Sequence, residues 1–382
     1  MIPVPLSLYI HFPWCIHKCP YCDFNSHTAS ATLPEEEYIQ ALISDLEQEL
    51  PHIWGRRLNT IFIGGGTPSL ISPQGMQKLL TQIQQLLPVR PNMEITMEAN
   101  PGTFEQERFA GYLDAGISRL SLGVQSFNPK HLKSLERIHD EKEAQTAFVT
   151  SQAVGFENIN LDLMFGLPEQ SIEEALEDLQ QAIDHQPQHI SWYELTLEPN
   201  TLFHHNPPSL PDPDTVAEMQ ERGLALLNKA GYSRYEVSAY AKTGKQCQHN
   251  LNYWEFGDYI GIGAGAHGKY TQDSHVTRYA KVKHPRDYIN AAMNKQARST
   301  SSSLNDQDKL FEFMLNALRL KEGVPKTRLY ERTHLDTAWV EPQLASAQAK
   351  ELLVPNSEQI VTTEKGWTYL NQTIEEFLTT TR

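Results

Sequence analysis

The first half of the chain predicts an α/β fold carried by a parallel β-sheet. Short apolar or β-branched runs recur at 6–12, 60–63, 94–98, 119–124, 158–165 and 189–197. Longer amphipathic stretches, such as 34–50 and 171–183, lie between them. Strands alternating with segments long enough for crossover helices build βαβ units rather than hairpins. A series of this kind fits either a doubly wound sheet or an incomplete barrel. In both, functional groups gather at the carboxyl ends of the strands.

The residues with the most chemistry lie at those ends. After the first run come Cys15, Cys19 and Cys22, spaced C-x3-C-x2-C. Three thiolates at a strand end suit an iron–sulfur cluster, whose irons favour soft ligands, and would leave one iron free for a small molecule. They equally suit zinc, with His11, His17 or His27 as a fourth ligand. Gly64-Gly65-Gly66-Thr67-Pro68 follows the second run. The third ends in Glu98-Ala99-Asn100-Pro101 and the fourth in Gly123-Val124-Gln125-Ser126. The fifth carries Asp162 and leads into Gly166-Leu167-Pro168.

Taken singly, each has a plain structural explanation. A glycine triplet makes a tight turn, and this one lacks the Lys-Ser/Thr of a phosphate loop. A lone carboxylate caps a helix or pairs with a cation, and Arg137 reads as a solvated helix residue. Together they set carboxylates, amides and flexible backbone around the mouth that holds the cysteines. That set suits a zwitterionic ligand with a ribose, which needs acceptors for its ammonium and hydroxyls and donors for its carboxylate.

A chain of 382 residues has room for two or three domains. Hydrophobic residues make up 40% and charged residues 21%, as in an ordinary globular protein. The net charge of −15 argues against a nucleic-acid backbone or an anionic membrane surface as the main partner. No stretch approaches the ~20 apolar residues that span a bilayer. Four cysteines and no recognisable leader predict a reduced, cytoplasmic protein.

Beyond residue 199 the pattern changes. Pro207-Pro208-Ser209-Leu210-Pro211-Asp212-Pro213-Asp214 marks a boundary, followed by a helix with Asp214 as N-cap and Gly231 as stop. A polar–aromatic segment follows, with Cys247-Gln248-His249-Asn250-Leu251-Asn252-Tyr253-Trp254 and then Gly261-Ile262-Gly263-Ala264-Gly265-Ala266-His267-Gly268. Ser299-Thr300-Ser301-Ser302-Ser303 reads as a linker. The last segment predicts helix, turn, helix, a strand pair at 352–355 and 359–363, and a closing helix, in the manner of a small winged helix. Residues 305–382 hold 9 basic and 12 acidic side chains, so this module is read as a packing element and not as a DNA-binding one.

With the cysteine triplet after strand one, Gly64–Pro68 after strand two and Asp162 on strand five, the chain resembles the radical S-adenosylmethionine (SAM) superfamily from end to end. Within it, the chain is similar to the group that contains oxygen-independent coproporphyrinogen dehydrogenases and heme chaperones. The resemblance implies a partial (β/α)6 TIM-like barrel over 1–200, an accessory α/β segment over 201–300 and a small helical, winged-helix-like module over 304–382. It also implies a [4Fe–4S] cluster on Cys15, Cys19 and Cys22, whose open iron takes the amino and carboxylate groups of SAM. Carried over by position, Tyr9, Tyr21, Gly65, Gly66, Thr67, Glu98, Gln125, Arg137 and Asp162 would form the SAM pocket.

The dehydrogenases of this group carry a fourth cysteine two residues after the third, where this chain has Phe24. They also carry a long N-terminal segment, whereas 14 residues precede Cys15 here. Residues His249 to Trp254 are similar to the H-N-x-x-Y-W motif of the heme chaperones. A neutral imidazole is a good axial ligand for heme iron, and Tyr253 and Trp254 offer flat apolar area with a polar tip. Asn250 could orient the imidazole of His249. A loop histidine beside core aromatics explains the same residues, and Cys247, His204, His205 and His267 are alternative ligands. The expectation is a cytoplasmic heme chaperone with heme b, a [4Fe–4S] cluster and SAM, and with no catalytic residue assigned. It would pass heme to a respiratory or membrane-associated acceptor, with no nucleic-acid partner and homodimerisation left open. The alternative is coproporphyrinogen III dehydrogenase; a radical enzyme acting on another substrate also fits.

Overall fold

The structure is a computed structural model that describes residues 4–29, 32–102, 106–355 and 358–378. One large sheet organises it. Strands β1 (Leu6–Phe12), β2 (Leu58–Gly65), β3 (Val89–Ala99), β4 (Arg119–Gln125), β5 (Ile159–Phe165) and β6 (His189–Glu194) run parallel and lie side by side in chain order. This is the partial (β/α)6 barrel. Crossover helices α1 (Glu35–Ile53), α2 (Pro73–Leu86), α3 (Phe109–Asp114), α4 (Glu141–Ala153) and α5 (Ile172–Asp184) connect its strands. Sequence patterning located all six strands, to within a few residues at their ends.

A further parallel strand escaped that reading. Strand β9 (Asp258–Ile262) pairs with β1 on the side away from β2. Its Gly261 and flanking glycines lack the β-branched signature of a strand. The reason is spatial: a Cβ at Gly261 would fall 1.9 Å from the His267 carbonyl oxygen, and one at Gly263 would fall 2.3 Å from that of His11. Antiparallel strands extend the sheet at both ends, β7 (Ser233–Glu236) and β8 (Ala239–Ala241) beyond β6, and β10 (His267–Gln272), β11 (His275–Lys281) and β12 (Arg298–Ser303) beyond β9. The serine run expected to be a linker is therefore edge strand β12, paired with β11 and exposed along its length. Polar, β-competent residues suit an edge strand with no core to cover.

Alternation along β1 to β6 divides the sheet into two different faces. Leu6, Leu8, Ile10, Ile61, Ile63, Met97, Leu120, Leu122, Leu161, Leu163, Ile190 and Trp192 are all buried in the main core. The alternate positions are polar: Ser7, Thr60, Glu94, Glu98, Ser121, Asn160, Asp162, His189 and Ser191. Register places Ser7 beside Thr60, Thr60 beside Glu94, Glu98 beside Ser121, and Asp162 beside Ser191. A parallel sheet covered by apolar groups on both faces reads as unbroken hydrophobic runs. Here the period-2 pattern gives an apolar face for packing and a polar interior for ligand chemistry.

After β6 comes α6 (Pro213–Lys229), capped by Asp212 rather than Asp214. The Asp212 carboxylate accepts from the backbone N–H groups of Asp214 and Thr215, and Pro213 fills the first helical position. Helix α7 (Gln248–Trp254) follows β8. The C-terminal module contains α9 (Asp306–Ala317), α10 (Lys326–Thr333) and α11 (Thr337–Ala349), preceded by α8 (Pro285–Met293) of the barrel side. The expected strand pair reduces to a single bridge between Leu353 and Thr362, while Gln359–Ile360 pairs with Val324–Pro325. The module's core, with Phe313, Met314, Leu329 and Leu344, also takes in Phe256 and Val276 of the sheet region.

Candidate cofactor site

The carboxyl ends of β1 to β6 surround a cavity of about 350 Å³. Cys15, Cys19 and Cys22 line it, partly exposed and free of disulfides. They belong to a loop whose backbone pairs Trp14–Cys15 with His27–Thr28. The Cys22 N–H donates to the Cys19 carbonyl, and Lys18 Nζ donates to the carbonyls of Phe24 and Ser26. Burial pushes the Cys15 and Cys22 thiols above the usual cysteine range, so it is a bound cation that would favour their thiolates. Among the described residues no three His, Cys, Asp or Glu side chains stand close enough to hold a single ion. Three sulfurs bordering one cavity suit a multi-iron cluster, in which each thiolate binds a different iron.

Most of the residues expected beside the cysteines are there. Tyr21, Gly65, Gly66, Thr67, Glu98, Gln125, Arg137 and Asp162 all line the cavity. The Gly65 N–H donates to Glu98 Oε2 at 3.2 Å, while the Gly66 and Thr67 N–H groups donate to the carbonyls of Phe12 and Trp14. The glycines are required. Gly65 has φ +113° and the His11 ring 2.6 Å from where a Cβ would lie, and a Cβ at Gly66 would sit 2.5 Å from the Trp14 carbonyl oxygen. Burial, and then the neighbouring Asp162, push the Glu98 carboxyl up to about 8. Asp162 is also raised by burial and accepts from Ser121 Oγ at 2.9 Å and Asn160 Nδ2 at 2.8 Å.

Arg137 ties three walls together. Nη2 donates to Asn100 Oδ1 at 2.9 Å and the Gly123 carbonyl at 2.8 Å, and Nη1 lies 3.5 Å from Cys19 Sγ. Its Nε–H is buried without a partner. Gln125 ends β4 with φ +68° and accepts from the Tyr193 hydroxyl at 2.8 Å. Tyr9 differs from expectation: its hydroxyl bonds His11 Nδ1 at 3.0 Å and its ring stacks on Phe62, and it does not line the cavity. Asn100, named among the strand-end residues, lines the cavity too, whereas sequence reading missed Ser121, Ser191, Tyr193, Glu236, Ser238 and Arg319. Ser121 and Ser191 sit on strands whose alternation was visible. Glu236 and Arg319 arrive from distant segments and left no local signal.

The His249 motif divides across α7. Asn250 and Trp254 line the cavity, but His249 is fully buried on the opposite side. Its Nδ1 shares a hydrogen bond with Thr60 Oγ1 at 2.9 Å and its Nε2 another with the Tyr253 hydroxyl at 2.9 Å, while its backbone N–H donates to Glu94. Burial, assisted by Arg119, depresses the imidazole to about 3. Cys247 is likewise buried, its thiol pushed up to about 12. His204, His205 and His267 are exposed and do not line the cavity.

A family profile described as the radical SAM superfamily matches residues 9–182, and one described as the HemN C-terminal domain matches residues 304–369. The heme chaperone HemW of Escherichia coli is 50% identical over 375 residues, 98% of each chain, and that of Haemophilus influenzae is 49% identical with 98% of each chain covered. The chain belongs to the HemW family of radical SAM proteins. The HemW of Bacillus subtilis is 35% identical over 97% of this chain and 99% of its own. Among solved structures, coproporphyrinogen III oxidase (HemN) of Escherichia coli, described as a radical SAM enzyme, superposes with a TM-score of 0.83 at 22% identity. The match covers 99% of this chain and 91% of that one, which shows a common fold. Radical SAM membership implies a [4Fe–4S] cluster and SAM, and the donors around this cavity fit both. No helix among the described residues is long and apolar enough to cross a membrane.

Proposed function

We propose that this protein is a heme chaperone that binds heme b and releases it to an acceptor protein, a respiratory or membrane-associated enzyme. The observation that carries this reading is near-complete alignment, at 50% identity, with a protein named as a heme chaperone. Phe24 supports it. The side chain is 57% exposed and borders the cavity at the position where the dehydrogenases have an additional cysteine. The free state of all four cysteines agrees with a reducing cytoplasm.

In this reading Cys15, Cys19 and Cys22 would hold the [4Fe–4S] cluster, which would supply a binding point for SAM. Gly65, Gly66 and Thr67 form the wall beside the methionine portion. Glu98 and Asp162 offer acceptors to its ammonium and hydroxyls, Arg137 holds the loop around Cys19 in place, and Gln125 and Tyr21 close the sides. Asn250 and Trp254 face the heme, with His249 and Tyr253 behind them. Axial ligation by His249 requires its imidazole to leave Thr60 and Tyr253, which costs on the order of 1–3 kcal/mol if those partners are left unmatched. A cavity of about 350 Å³ is at the small end for ligand sites. In this reading the cluster and SAM occupy much of it, so the porphyrin lies at the rim beside Asn250 and Trp254 and stays partly open, a position from which a carrier can release its cargo.

The test is anaerobic reconstitution with iron and sulfide, followed by heme titration of wild type and His249→Ala with coproporphyrinogen turnover assayed on the same samples. Stable heme binding with no porphyrinogen product supports the chaperone. Turnover with little heme retained would identify a dehydrogenase instead. Loading unchanged in His249→Ala would remove His249 from the heme site and leave the chaperone reading intact.

A further inference from the structure

The C-terminal module sends a charged side chain into the cavity. Arg319, just beyond α9, lines it together with Trp254 of α7 and Glu236 of β7. Its guanidinium lies over the Trp254 ring, 4.3 Å from the centroid, and Nη2 donates to Glu236 Oε2 at 3.0 Å. Glu236 is almost fully buried, and its Oε1 already accepts from the Ser238 N–H and hydroxyl. The pair is therefore fixed in place on both sides.

Neither contact uses the Nε–H of Arg319, which is buried with no acceptor. The same holds for the indole Nε1–H of Trp254. An unmatched buried N–H is costly, and more so when it belongs to a charged group. Both unmatched donors belong to contacting side chains that line one cavity. A carboxylate entering the cavity would satisfy such donors once the two side chains turn toward it, because it accepts from several donors at once and carries the charge opposite to a guanidinium. The adjacent indole and guanidinium planes also suit a flat ligand.

We propose that Trp254 and Arg319 form a carboxylate subsite that takes one propionate of the porphyrin, so that the C-terminal module completes the binding site and does more than pack against the barrel. This rests on the heme-chaperone reading. It predicts that discrimination between free and esterified propionates resides in these two side chains. A charge-assisted hydrogen bond contributes about 1.5–3 kcal/mol, which corresponds to roughly ten- to hundredfold in affinity.

The experiment titrates the full-length, cluster-reconstituted protein with heme and with heme dimethyl ester. Wild type is expected to bind the free acid at least about tenfold more tightly than the diester. Arg319→Gln and Trp254→Phe are expected to lose most of that preference, read as the ratio of acid to diester affinity within each variant, since both side chains also border the porphyrin plane. Wild-type cluster absorbance and SAM affinity in the variants separate this effect from misfolding, and Arg319→Lys is expected to restore part of the preference. Retention of the full preference in Arg319→Gln overturns the subsite. Equal binding of acid and diester by wild type overturns the subsite alone, whereas binding of neither overturns the heme reading with it.

Discussion

His249 and Tyr253, one helical turn apart on α7, are hydrogen-bonded side chain to side chain at 2.9 Å, with their rings perpendicular and 4.8 Å apart. The bond turns the imidazole inward, away from the cavity that Asn250 and Trp254 face. Tyr253→Phe keeps the ring and deletes the partner of Nε2. Its expected outcome is a loss of about 1–2 kcal/mol in stability together with faster heme association in stopped-flow absorbance. An association rate identical to that of wild type would mean that His249 stays in its pocket during heme capture.

The four cysteines separate into two environments. Cys15, Cys19 and Cys22 border the cavity, while Cys247 is sealed beneath it near Glu94. Each of Cys15→Ala, Cys19→Ala and Cys22→Ala is expected to abolish cluster absorbance near-completely after reconstitution. Cys247→Ala is expected to retain wild-type iron and sulfide content. Loss of the cluster in Cys247→Ala would show that the buried thiol is a ligand.

Gly66 stands where β2 meets the cavity, and its missing Cβ lets the chain pass the Trp14 carbonyl. Gly66→Ala forces apart the segment bearing Cys15 and the wall bearing Thr67. SAM affinity, measured by calorimetry on the reconstituted protein, is expected to fall by an order of magnitude or more. Wild-type affinity would show that the SAM contacts lie elsewhere on the rim.

A pH dependence follows from burial of His249. Its folded pKa of about 3 lies below the unfolded value near 6.5. Between these values only the unfolded chain takes up the proton, so the contribution to stability is complete above pH 6.5 and is lost as pH falls toward 3. From pH 7 to pH 5 the loss is about 2 kcal/mol. Denaturant titrations at pH 7 and pH 5 are expected to show a smaller acid loss, by about that amount, in His249→Gln than in wild type. Identical losses would mean that the imidazole is protonated in the folded state over this range.

The path of the chain through the barrel was legible because it depends on local signals. Runs of β-branched and apolar residues, separated by amphipathic helices, located β1 to β6, and turn-forming or chemically active residues marked their carboxyl ends. Strand β9 and edge strand β12 were not legible. The glycines of β9 answer to the carbonyls that approach them, and the serines of β12 cover no core, so neither segment carries the hydrophobic pattern of a strand.

The sequence by itself determined which residues meet at the mouth of the barrel, because strand order and alternation bring Cys15, Gly65, Glu98, Gln125 and Asp162 to one end. It also determined that the strands have an apolar and a polar face. Only the tertiary structure decided which way α7 turns, so that Asn250 and Trp254 face the cavity while His249 is buried. It alone placed Arg319 from the far end of the chain against Trp254. A seven-residue helix has too little periodicity to specify its own rotation. A contact between segments 65 residues apart depends on how the C-terminal module packs on the sheet, through Phe256, Val276 and Phe313, and no local pattern encodes that packing.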